Sequence, residues 1–135
     1  MDLQNLEHMR QSFPVMFQHK GEITRKFYQD LFRDAPETRE MFGDNMGTQR
    51  EMLATVLTTL AKASFKPETV QDILYRLARS HAGLGLTAQQ FEAGEAALHN
   101  AITSTMTGKV PVEVLTAWQT AVRRVIEAMR NPPEG

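Results

Sequence analysis

Apolar residues recur every three or four positions along almost the whole chain, and proline or glycine breaks the pattern at intervals that suit helices of ordinary length. Leu3, Leu6, Met9, Phe13 and Met16 mark a first helix, with Pro14 expected to bend it and His19–Lys20–Gly21 to end it. Ile23, Phe27, Leu31 and Phe32 mark a second, running to Asp34 or Ala35. Pro36 suits the first turn of a short third helix, because it has no N–H to leave unpaired. The polar stretch GDNMGTQ reads as a corner. A fourth helix carries Leu53, Val56, Leu57 and Leu60, and Pro67 opens a fifth that holds Leu74, Leu77 and Ala78. Thr87 and Gln90 have the spacing of a capping box for a sixth helix with Phe91, Ala97, Leu98 and Ile102. Gly108 ends it, and Pro111 opens a seventh with Val114, Trp118, Val122, Val125 and Ile126. Nothing alternates with period two over a useful length, so the class is all-α.

The 135 residues have the length of a single domain, 1–135, with residues 130–135 expected to be a frayed tail because two prolines cannot continue a helix. Fifteen basic and sixteen acidic side chains give a net charge of −1, which leaves no basic excess to follow a phosphate backbone. Nucleic acid is therefore not an expected partner. No stretch reaches the ~18 apolar residues of a membrane span, and the charged N-terminus does not read as a signal peptide. The absence of cysteine excludes disulfides, thiolate chemistry and cysteine metal sites, and fits a cytoplasmic location.

The four histidines carry the functional question. His8 and His19 read as surface residues, and His99 as exposed or simply packed. No two histidines share a helix face at a spacing of three or four, so a zinc site built from them has no support. His81 differs. It ends the fifth helix among Leu74, Leu77, Leu84 and Leu86, and Gly83 and Gly85 beside it allow the backbone to turn and something bulky to approach. A lone imidazole in apolar surroundings lacks the carboxylate that a general base needs. It suits a single axial ligand to haem iron, since the porphyrin supplies four donors of its own.

Four motifs occur in order: FYQDLFRDAPETREMF, GTQREMLATVL, RLARSHAGLGL and LTAWQTAVRRVIEAM. In these the chain resembles a globin, and among globins the haem portion of bacterial flavohaemoglobins and the single-domain bacterial haemoglobins, from about Phe13 to Met129. The resemblance implies seven or so helices around one haem b. It places His81 at the proximal iron ligand, Phe42 at the corner phenylalanine that wedges the haem, and Tyr28 and Gln49 at the distal positions that donate to a bound gas. Leu53 lies one turn beyond Gln49 on the same face. Leu77, Leu86, Phe91 and Leu98 complete the expected haem contacts, Gly94 is expected to widen the proximal side, and Ser80 or the Leu77 carbonyl to accept from the second nitrogen of His81.

The resemblance also shows two departures. The flavin and nicotinamide portions of flavohaemoglobins are missing from the sequence, so sustained turnover would need an external reductase. The family's proximal tyrosine and glutamate fall at Phe91 and in the Pro132–Pro133 region, where neither can hydrogen-bond to the histidine. Three readings result: a haem protein that reversibly binds oxygen, nitric oxide or carbon monoxide for storage, delivery or sensing, as monomer or homodimer; a nitric oxide dioxygenase or weak peroxidase served by a reductase; and a globin-fold interaction module without haem. No residue is assigned as catalytic.

Overall fold

Each apolar stripe forms a helix. The computed structural model describes residues 3–62 and 66–131. Its elements are α1 (Leu3–Gln11), α2 (Phe13–Asp34), a short 3-10 helix η1 (Pro36–Met41), α3 (Met46–Lys62), α4 (Pro67–Ala82), α5 (Ala88–Met106) and α6 (Val112–Arg130). Among the described residues there is no strand, only one isolated bridge between Thr107 and Val110 across the Gly108 turn. The predicted tail falls largely on residues 132–135, outside the described part.

The first two helices differ from the sequence expectation. The chain breaks at Ser12, and α2 runs without interruption through His19, Lys20 and Gly21. Pro14 does not bend a longer helix but sits in the first turn of α2. There its missing N–H costs nothing, whereas inside a helix its ring would clash with a carbonyl one turn back. Gly21 costs about 0.5–1 kcal/mol relative to alanine. Met16 and Ile23, both fully buried on either side of it, hold the helix together. His19 therefore lies within a helix, half-buried, with its Nδ1 3.6 Å from Glu22. His8 is half-buried as well, with its Nδ1 enclosed and unpartnered among the described residues.

The predicted capping box is present: Thr87 Oγ1 accepts from the Gln90 N–H and Gln90 Oε1 accepts from the Thr87 N–H. Only one of the two glycines after His81 takes a left-handed conformation, Gly85 at φ +64°; Gly83 is helical. The PETREMF segment winds as a 3-10 turn and delivers Phe42 in extended backbone. Helix α2 packs across α5 and α3, while α6 packs against α5, α4 and α1. The core between them holds Met9, Met16, Ile23, Ile102, Met106, Val114 and Trp118, each at most 2% exposed.

The indole of Trp118 is tied to the α1–α2 junction. Its Nε1–H donates to Ser12 Oγ at 2.7 Å, and Ser12 Oγ donates in turn to the Met9 carbonyl at 2.6 Å. Both side chains are buried, so loss of the hydroxyl strands an indole donor away from water. Ser12→Ala is expected to destabilise the chain by about 1–3 kcal/mol in guanidinium unfolding.

Candidate functional site

An apolar cavity of about 290 Å³ opens between the two halves of this packing. That lies near the lower end of the ~300–1,000 Å³ of small-molecule pockets. All nine residues singled out from the sequence line it: Tyr28, Phe42, Gln49, Leu53, Leu77, His81, Leu86, Phe91 and Leu98. Three of the large apolar side chains most exposed to solvent also border it, Met41, Met52 and Leu84, at 40, 58 and 46%. A group seated in the cavity would cover this apolar rim.

His81 stands on the last turn of α4 with its Nδ1 2.8 Å from the carbonyl oxygen of Leu77 and 3.1 Å from Ser80 Oγ. A carbonyl only accepts, so Nδ1 carries the proton and Nε2 keeps its lone pair. Ser80 Oγ spends its own proton on the same Leu77 carbonyl at 3.0 Å. Both acceptors expected from helix geometry are therefore in place, and among the described residues no carboxylate joins them.

Across the cavity, the aromatic rings of Tyr28, Phe32 and Phe42 pack together with centroids 5.4–5.8 Å apart. Arg39 fixes the corner beneath them by donating to the carbonyls of Phe42 and Gly43, both at 3.2 Å. Asn45 caps α3 through its Oδ1, which accepts from the Thr48 N–H at 3.1 Å. Gln49 is thus not needed as a cap and its amide is left to the cavity.

The Tyr28 hydroxyl donates to the backbone carbonyl of Gln49 at 3.4 Å. The ordinary length for such a bond is about 2.7–2.8 Å, so this contact is weak and easily exchanged for a better acceptor. Burial pushes the Tyr28 phenol up to about 12, partly opposed by the positive charge of Arg50. Gly94 borders the cavity, and a Cβ added there would meet nothing within 4 Å. Gly94 therefore does not serve a close approach to a neighbouring helix.

The proximal side departs from a hydrogen-bonded relay. The Phe91 ring has no donor, and the guanidinium of Arg130 lies 5.8 Å from its centre. The second relay position, in the Pro132–Pro133 region, lies outside the described residues. The sequence did not single out the far wall, built by Trp118, Ala121, Val122 and Val125 of α6, nor Thr38 and Gln90 at the edge. The α6 stripe reads as plain core, because a helix facing a cavity and a helix facing another helix have the same period.

The residues suit a haem group. Among the described residues no cluster of three or more histidine, cysteine, aspartate or glutamate side chains could hold a metal ion. A single imidazole with a free lone pair, facing an apolar slot, fits a metal that brings its remaining ligands with it.

The globin family model matches residues 25–129, and the chain belongs to that family of haem proteins. A flavohemoprotein of Rhizobium meliloti is 28% identical over 111 residues, covering 80% of this chain but 28% of that protein. The chain therefore spans less than a third of that relative's length. A solved carbene transferase, engineered from a candidate nitric oxide dioxygenase of Rhodothermus marinus, superposes with a TM-score of 0.79 at 26% identity, over 96% of this chain and 90% of the other. A bacterial globin from Campylobacter jejuni shares the fold, with a TM-score of 0.75 at 21% identity, over 95% of this chain and 93% of the other. No helix among the described residues is long and apolar enough to cross a membrane.

The raised phenol of Tyr28 has a consequence for pH dependence. Its neutral form is favoured in the folded chain, so the stability it contributes is complete below about pH 10 and is lost as pH rises through about 12. Tyrosinate absorbance should show a later step, above about pH 10, from Tyr28. Tyr28→Phe should remove the later step.

Proposed function

We propose that this chain is a haem b protein that reversibly binds dioxygen and other diatomic gases, with His81 as the axial ligand. The observation that carries the reading is the contact of His81 Nδ1 with the Leu77 carbonyl at 2.8 Å, which leaves Nε2 as the nitrogen available to a metal in an apolar slot. Haem, when bound, supplies an iron with one position open to a gas.

The remaining chemistry belongs to the chain. Phe42, Leu53, Leu77, Leu86, Phe91 and Leu98 exclude water and hold the plane of the group. Leu77 and Ser80 keep His81 oriented. Gln49, and Tyr28 once its hydroxyl exchanges the weak bond to the Gln49 carbonyl, would supply two donors to a bound ligand bearing negative charge. With Phe91 rather than a hydrogen-bonding side chain at the first relay position, the arrangement favours retention of a gas over cleavage of peroxide. A cytoplasmic location suits this role.

A second reading has support from the Rhodothermus marinus neighbour: nitric oxide dioxygenation, in which nitric oxide, dioxygen and one electron give nitrate. The electron would come from an external reductase. Consumption of nitric oxide by the purified chain, sustained only with a flavin reductase and its nicotinamide cofactor, separates this reading from simple gas binding.

The direct test is the absorption spectrum of the purified, haem-loaded chain. A Soret band with one haem per chain is expected, and its absence removes the reading. His81→Ala should lose most haem affinity and regain a ferrous spectrum only with added imidazole.

Tyr28→Phe probes the opposite side. A hydrogen bond to a ligand bearing negative charge is worth about 1.5–3 kcal/mol, so dioxygen should leave roughly 10- to 150-fold faster. Carbon monoxide carries little charge and should change far less. Equal changes for the two gases in stopped flow would reduce Tyr28 to a packing residue.

A further inference from the structure

The capping box of α5 does more than start a helix. Gln90 Oε1 accepts from the Thr87 N–H at 3.0 Å, and the other end of the same amide, Nε2, donates to Glu37 Oε1 at 3.4 Å. Glu37 belongs to the first turn of η1, 53 residues earlier in the chain. Gln90 is itself half-buried and lines the cavity, as do Thr38 beside Glu37 and Phe91 beside Gln90. The bond thus joins the corner that presents Phe42 to the segment that follows His81. That segment is a turn through Gly83 and Gly85, the latter left-handed, and its Leu84 side chain is 46% exposed.

We propose that Glu37 and Gln90 form a weak, solvent-exposed latch at the edge of the cavity, and that this latch slows release of the bound group severalfold. Opening it removes the one side-chain bond that, among the described residues, joins the start of α5 to the corner, and leaves the turn through Gly83 and Gly85 freer to move away from the cavity edge. Glu37 acts through Gln90 and is a positioning residue. The proposal rests on the haem reading above for its ligand, but the latch itself is a property of the chain.

The two partners can be tested without destroying the helix cap. Gln90→Glu keeps a carboxylate at the capping position, able to accept from the Thr87 N–H, but sets two carboxylates against each other. Combining it with Glu37→Gln restores an amide facing a carboxylate with their roles exchanged. In transfer of haem from the loaded chain to excess haem-free acceptor globin, Gln90→Glu should release about three- to fivefold faster than wild type. The double variant should return to within about twofold of wild type. Release at the wild-type rate by Gln90→Glu, or no recovery in the double variant, overturns the latch. Hydrogen exchange of the haem-free chain reads the same contact independently: amides 86–94 should lose protection in Gln90→Glu and regain it in the double variant. Unchanged protection in Gln90→Glu also overturns the latch, whereas a wild-type chain that takes up no haem overturns the functional reading instead.

Discussion

The cavity at the centre of the chain is the constraint on which the rest depends. A pocket of about 290 Å³ that opens to solvent leaves the apolar side chains around it without packing partners on one side, and exposes Met41, Met52 and Leu84 at its rim. A group that fills it returns those contacts and couples its own binding to folding. The tightly bonded parts of the molecule lie around this hole. Trp118 is held to Ser12 at the far wall, the three aromatic rings of Tyr28, Phe32 and Phe42 brace one side, and His81 is fixed to its own helix on the other.

The polar groups of the pocket are few, and the histidine and the tyrosine are oriented by backbone carbonyls rather than by another charge. Leu77 offers a carbonyl to His81, and Gln49 offers one to Tyr28. Carbonyls fix direction without adding negative charge to the site. Phe91, beneath the guanidinium of Arg130, supplies bulk and no proton. The result is a scaffold that orients both side chains through the backbone.

Much of the fold was legible because helix period, proline and capping residues act locally. Thr87 and Gln90 announced α5 three residues apart, and the cap formed as expected. The α1–α2 boundary was not legible for the opposite reason. Pro14 is compatible with a kink or with the first turn of a new helix, and the choice is settled by Ser12 meeting Trp118, 106 residues away. The candidate site residues came from motif resemblance, and they line one cavity. Periodicity alone could not separate Val122, which faces the cavity, from ordinary core residues on the same stripe. Nor could it show that the Tyr28 hydroxyl would rest on the Gln49 backbone, because that contact depends on how α2 crosses α3.

Trp118 gives the account its most direct measurement. The chain has one tryptophan, and it lies in the wall of the cavity. Haem added stepwise to the haem-free chain should quench its emission in proportion, with a sharp endpoint at one haem per chain. Emission that declines without an endpoint, or only after several equivalents, would mean that haem adheres to the surface and that the cavity was not made to hold it.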